Sequence, residues 1–334
     1  MKCCVYSRFY YDTPYINAFI EHYLSLGFDK IFLLKSDPLG EAEYDLPTQF
    51  RDKVSIKRVK NLGNRILPKH SGIVKKDMDW VLSIDTDEFL FLNKKFNNIK
   101  DFLTSKTLKH PRVNNFLFRW LMIEKYDNFK IENFSQLIDR YSYRANGHIK
   151  SMSKVSDLHS LGCHYPSLTN MRNFHEGQVL RGMPQVRRTP PCKASYTESL
   201  LLHLHTRSIK SVVIKAFKTV LKNKSIHNRN VFKNLVKTQD DIDSGHLLKK
   251  FCDAIGDKAR LPFHHMSKFP NYKIEDVFKN YSITPGTFSL IDYKEEDRLV
   301  KNICKNNNID FDSFQKLEER LSGIIYSKKI LHKK

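Results

Sequence analysis

The chain is poor in cysteine, and what it has is not arranged for a metal ribbon or a dithiol centre. Its six cysteines, Cys3, Cys4, Cys163, Cys192, Cys252 and Cys304, form no C-x-x-C pair, which removes support for zinc-ribbon and thioredoxin readings. Their scatter over 334 residues fits reduced thiols in a cytosolic compartment. No apolar run approaches the roughly 20 residues that a membrane helix needs, and the start at Met1 shows no signal-peptide apolar region. A cytoplasmic protein, soluble or peripheral to a membrane, is the expectation. Acids are scarce: 36 Asp and Glu face 57 Lys and Arg, a net charge of +21. Such a balance asks for an anionic partner: nucleic acid, anionic lipid or a phosphorylated substrate. There is no RNP, zinc-finger or helix-turn-helix signature, and the basic residues are spread widely, so nucleic acid is not the expected partner. Internal repeats and low-complexity linkers are lacking too.

What is present is a real core, with 40% hydrophobic and 12% aromatic residues, enough for one large α/β domain with additions or for two domains. The informative stretch runs from Asp79 to Leu92. Trp80 to Ile84 is a short apolar run with one Ser, as in a buried strand of a parallel sheet. Three acids follow, Asp85, Asp87 and Glu88, and Phe89 to Leu92 is apolar again. Carboxylates between two buried segments must be solvated, paired or bound to metal. Hard cations such as Mg²⁺ or Mn²⁺ take oxygen ligands and share them with substrate phosphates. Ligands of open α/β sheets bind at strand carboxyl ends. Alone, an Asp-x-Asp is more often an acidic turn. On a strand, Glu88 points opposite to Asp87, so it reads as a brace for neighbouring groups.

Along the chain, Cys3 to Tyr6 reads as a strand. A helix opens at Pro14, with Tyr15, Ile16, Phe19, Ile20, Tyr23 and Leu24 at helical spacing, and Gly27 as its C-cap. Strands are expected at 30–34, 54–59 and 115–123, with helices at 68–76 and 98–103. Strands alternating with helices predict a mainly parallel sheet flanked by helices. The domain expectation is 1–240 for this α/β domain and 241–334 for a helical C-terminal extension.

The Trp80–Leu90 segment resembles the Asp-x-Asp segment of GT-A-fold glycosyltransferases, most closely the family-2-like and family-92-like enzymes. Tyr15 to Ile31 resembles their first helix and second strand, and His203 to Ser208 resembles their His-x-x-x-Arg-Ser pattern. Weaker similarity covers Phe134 to Tyr141 and Lys150 to Pro166, so the resemblance spans about Cys3 to Phe217. It implies a GT-A fold, a nucleotide-sugar donor, a glycan or lipid-linked acceptor, and Mn²⁺ or Mg²⁺ on the diphosphate. The implied metal residues are Asp85, Asp87 and His205, with Asp85 and Arg207 toward the diphosphate. Relatives carry Asn-Glu and Asp-Asn at the ends of the first two strands. Here Ser7-Arg8 and Lys35-Ser36 stand there, so Asp12 and Asp37 are the substitutes for nucleotide contact. Relatives mostly invert the anomeric centre and need a carboxylate base. Glu124, with Asp127 behind it, follows the 115–123 strand and is the candidate; solvated loop acids are the plain alternative.

From Val179 to Lys237 there are 13 Lys or Arg and one acid, Glu198. Within this stretch, 208–223 is amphipathic. Ile209, Val212, Val213, Ala216, Phe217, Val220 and Leu221 form one face, and Lys210, Lys215, Lys218 and Lys222 surround it. It predicts either a packed helix with a solvated basic face or contact with an anionic membrane carrying the acceptor. The leading expectation is thus a metal-dependent glycosyltransferase. The alternatives are a basic nucleic-acid-binding protein and a Mg²⁺-dependent nucleotidyltransferase.

Overall fold

A computed structural model describes residues 1–9, 12–36, 44–59, 70–74, 77–123, 133–134, 143–162, 164–175, 178–181, 196–204, 208, 210–211, 271–272, 278–282, 288–306, 310–312, 315–316 and 318–319. The chain forms two compact units. One comprises Met1–Ile123, Glu132–His205 and Phe269–Leu290, and the other Glu124–Ile131, Thr206–Lys268 and Ile291–Lys334.

The first unit is an α/β fold built on one large mixed sheet. Its parallel part joins β1 (Cys3–Phe9), β2 (Lys30–Ser36), β3 (Val54–Val59) and β4 (Trp80–Ser83), in the order β3-β2-β1-β4. β1, β2 and β4 are buried almost throughout because both faces are covered, whereas the edge strand β3 is partly open and carries Lys57 and Arg58 at exposed positions. Cys4, Tyr6, Phe32, Leu34 and Val81 share one buried cluster with Val155, Leu158 and Leu161. Each large side chain taken fully out of water contributes about 1.5–3 kcal/mol.

Beyond β4 the sheet turns antiparallel. β5 (Glu88–Leu92) leaves β4's line, while β6 (Asn115–Ile123) pairs with β7 (Tyr143–Lys154), and β7 pairs with β4. Three short strands follow, β8 (Leu158–Ser160), β9 (Ser167–Leu168) and β10 (Arg172–His175), then β11 (Gln178–Arg181) and β12 (Ser199–His203). β12 runs antiparallel to β5 and parallel to β6, stitching the acid-bearing strand into the sheet. β13 (Asn271–Tyr272) adds to β7. In the expected 68–76 helix, the described part is a short 3₁₀ turn at Ser71–Val74.

Helix α1 (Thr13–Ser25) packs on β1, β2 and β5 through the apolar face that its periodicity predicts. It ends at Gly27, whose φ is +91°. A Cβ there would also meet the Asn98 Cβ at 2.9 Å, so glycine is required twice over. Asn98 caps α2 (Ile99–Lys109) by accepting from the backbone N–H groups of Lys100 and Asp101 at 2.9 and 3.0 Å.

Helix α1 also finishes an edge of β5. The Tyr23 hydroxyl donates to the Glu88 carbonyl at 2.9 Å and accepts from Leu90 N–H at 3.0 Å. His22 Nε2 donates to the Leu90 carbonyl at 2.8 Å. Backbone groups that β12 leaves unpaired are thereby satisfied by side chains.

In the second unit, α3 (Tyr293–Asn306) buries Glu296, Leu299, Val300, Ile303 and Cys304 along one face. Asp292 accepts from Glu295 N–H at 3.0 Å as its cap. Lys210 lies 2.6 Å from Asp297 and 3.6 Å from Glu318. Of the 208–223 stretch, Ser208, Lys210 and Ser211 are described. Among the described residues no helix is long and apolar enough to cross a membrane.

Candidate active site

Six strands bring their functional side chains to one place. β4 ends at Ser83, and the loop that follows carries Asp85 and Asp87 before β5 starts at Glu88. Arg8 comes from the carboxyl end of β1, and His203 ends β12, directly opposite Glu88 in the ladder. The ladder continues one step further, with Leu204 N–H donating to the Asp87 carbonyl at 2.7 Å. Lys150 and His148 come from β7. Trp120 sits where the β6–β7 register shifts between Arg119 and Leu121, a bulge of the kind that re-aims a side chain beside a site.

The two ends of the acid loop are held differently. Asp85 lies 2.5 Å from Lys150 Nζ and 3.9 Å from Arg8 Nε. Desolvation pushes its carboxyl up, but Lys150 and Arg8 outweigh that and the nearby Asp87, and Asp85 stays below the ordinary carboxylate range. Glu88 is fully buried, and its Oε2 accepts from Asp85 N–H at 3.0 Å and lies 3.5 Å from Lys150 Nζ. The brace expected of Glu88 is therefore present. Its other oxygen, Oε1, is buried with no hydrogen bond. Burial, with Asp85 and Asp87 adding to it and Lys150 only partly offsetting it, raises the Glu88 carboxyl well above the usual glutamate range.

At the other end, Asp87 Oδ2 is 3.5 Å from His203 Nε2. One ligand atom each from Asp87, Glu88 and His203 lies within 4.8 Å of the others. A buried oxygen without a partner, a second carboxylate and an imidazole make a donor set that fits a divalent cation. The His203 ring lies 4.2 Å from Trp120, and His148 stacks on the same indole at 5.0 Å with 21° between planes. His164 reaches Trp120 at 5.6 Å and hydrogen-bonds the Ile149 carbonyl through Nδ1 at 3.0 Å. Burial first, then the Lys150 charge, lowers His164; burial, then His203 and Lys150, lowers His148.

Of the residues singled out from sequence, Asp85 and Asp87 meet here. Asp12 is the N-cap residue of α1 and makes no side-chain cap bond. Asp37, Glu124, Asp127, His205 and Arg207 lie outside the described residues. Lys150, Trp120 and His148 were not anticipated. Lys150 did begin a segment noted for its resemblance, and His164 lay inside it. His203 opens the His-x-x-x-Arg-Ser segment, in which the resemblance points to His205 for the metal.

A carboxylate loop at the end of a parallel strand, faced by an imidazole across an antiparallel ladder, is a site compatible with a divalent cation in an α/β fold. The protein is a glycosyltransferase: residues 73–243, just over half of the chain, match the model of glycosyltransferase family 92, and the chain belongs to that family. The matched segment contains every residue that the structure brings to the site except Arg8. No curated protein matches the chain. Among solved structures, it is similar to 4-diphosphocytidyl-2C-methyl-D-erythritol synthase from Anaerococcus prevotii, at 12% identity, 47% of this chain, 72% of that chain and a TM-score of 0.22. A putative glucose-1-phosphate thymidylyltransferase from Bacillus anthracis matches at 12% identity, with the same shares and a TM-score of 0.22. HddC from Yersinia pseudotuberculosis matches at 10% identity, 60% of this chain, 89% of that chain and a TM-score of 0.25.

Proposed function

We propose that this enzyme transfers a sugar from a nucleotide-sugar donor to a glycan or lipid-linked acceptor, with a divalent cation held by Asp87, Glu88 and His203. The observation that carries the proposal is the meeting of these three ligand atoms within 4.8 Å. Two carboxylates supply hard oxygen and His203 supplies nitrogen. That mixture suits Mn²⁺ better than Mg²⁺, which takes imidazole poorly. When bound, the ion offsets charge on the leaving nucleoside diphosphate. Asp85 serves the site from behind, fixed by Lys150 and Arg8. The Trp120–His148 stack gives a flat face beside the acids, suited to a sugar ring or a base.

Family resemblance adds His205 and Arg207 near the diphosphate and Glu124 as the base of an inverting reaction, while Asp12 and Asp37 stand in toward the nucleotide where this chain departs from the family pattern. A lipid-linked acceptor on an anionic membrane suits the basic 208–223 stretch. Lys210 is already paired with Asp297 and Glu318, so any such attraction falls to Lys215, Lys218 and Lys222. The test is donor turnover across a panel of nucleotide sugars, with Mn²⁺, with Mg²⁺ and with chelator. Metal-dependent cleavage of one donor is the expected result. Turnover that chelator leaves untouched would remove the cation from the reading.

A further inference from the structure

The acid loop already contains its own cation. Lys150 is 1% exposed, between Asp85 at 2.5 Å and Glu88 at 3.5 Å, with its Nζ 5.9 Å from the centre of the Trp120 ring. A side chain this buried touches no substrate; it acts through the two acids that it contacts, which makes it a positioning residue. Lys150 and Arg8 already sit on Asp85, and Lys150 also reaches Glu88, so two cations face the acids before any divalent ion arrives. A divalent ion added alone meets their repulsion, which an anion bound with it offsets.

We propose that Lys150 is a built-in counter-cation that reserves Asp85 from the metal and keeps affinity for the bare divalent ion low, so that the ion is held firmly only together with an anionic diphosphate. The idea rests on the metal reading above. The physical reason is that like charges a few ångströms apart in a poorly solvated site repel strongly. Asp85 stays ionised and pinned, its backbone N–H stays on Glu88, and the ligand set reduces to Asp87, Glu88 and His203.

The experiment is Mn²⁺ binding to the full chain by calorimetry, without nucleotide and then with UDP or GDP. The proteins are wild type, Lys150→Met, Lys150→Arg and Asp85→Asn/Lys150→Met, each checked for folding by near-UV circular dichroism. Lys150→Met should bind bare Mn²⁺ at least about tenfold more tightly, and should lose most of the gain in affinity that the diphosphate confers. Lys150→Arg should stay within about threefold of wild type, because the charge is kept. The double variant keeps the same net charge and should also stay within about threefold. A folded Lys150→Met that binds Mn²⁺ no more tightly than wild type overturns the proposal. If Lys150→Met does not fold, the double variant decides: a loss beyond about tenfold would show that Asp85 is itself a ligand, and overturns it too. Wild type that binds no Mn²⁺ under either condition takes down the metal reading as well. Wild-type binding with an unchanged Lys150→Met takes down the Lys150 inference alone.

Discussion

Lys106 and Lys150 are both buried lysines, and the surroundings of each show what its region is for. Lys106, on α2, contacts the carboxylate of Glu198 and lies 5.4, 5.9 and 5.5 Å from the ring centres of Phe96, Phe102 and Phe174. Lys95 comes to the same carboxylate at 3.4 Å. There a single acid is answered by two lysines, both on one carboxylate oxygen, and the contact fastens α2 beside the start of β12. At Lys150 the proportion is reversed. Three acids crowd near it: Asp85 and Glu88 share the one lysine, while Asp87 faces His203. A balanced pair is a fastening; an acid surplus next to an imidazole is a place for a further cation.

The largest effect should separate these two regions by chemistry. Asp87→Ala should lower metal-dependent transfer by about a thousandfold or more, with its melting temperature near that of wild type. Near-normal turnover in this variant would erase the distinction. Mn²⁺ with donor diphosphate should raise the melting temperature of wild type but not of Asp87→Ala. At a hundredfold excess over the dissociation constant the gain is about 2.7 kcal/mol.

Lys106→Met should do the opposite. It breaks a largely buried pair but leaves Lys95 to Glu198, so a loss of about 2–3 kcal/mol in stability is expected. Turnover per folded molecule should be unchanged, as read by denaturant melts beside active-site titration. If transfer falls with stability intact, Lys106 belongs to the site and the contrast fails.

A pH series sharpens the comparison, because its source lies in neither region. Burial among Tyr23, Phe89, Phe91 and Phe134 lowers His22 to about 4, with its bond to the Leu90 carbonyl only partly opposing this. The unfolded chain therefore binds a proton near pH 6.5 that the folded chain refuses until about pH 4. Stability from this residue is complete above pH 6.5 and drains away as pH falls toward 4, by about 2–3 kcal/mol. His22→Phe should flatten that part of the curve, measured by urea midpoints from pH 7.5 to 4.5. The smallest effect expected is Asn98→Ala, about 1 kcal/mol from the lost cap of α2, again with transfer per folded molecule intact.

Some of this was legible in the sequence and some was not, for physical reasons. β1, α1 and β2 announce themselves through local apolar periodicity and a glycine stop, and the acid loop through its position after an apolar run. β7 does not, because Tyr143–Lys154 carries Arg144, Asn146, Gly147, Lys150 and Lys154, and reads as loop. Its polarity makes sense only in place: Lys150 answers Asp85, and Ser153 donates to Asn115 at 2.8 Å. Those partners are 65 and 38 residues away, beyond the reach of any periodicity. The place of His203 is of the same kind: only the β12–β5 register sets it across from Glu88.

The side-chain finish on β5 has a further consequence for solubility. A strand with one ladder used and the other open is a template on which a second chain can add, and Phe89 to Leu92 is the apolar sort of strand that such growth favours. Tyr23 and His22 occupy that template with a phenol and an imidazole, which no incoming strand can extend. The hydroxyl of Tyr23 thus keeps the backbone groups of this apolar strand occupied from within the chain. A Tyr23→Phe protein should be read first for fibrils and only then for activity.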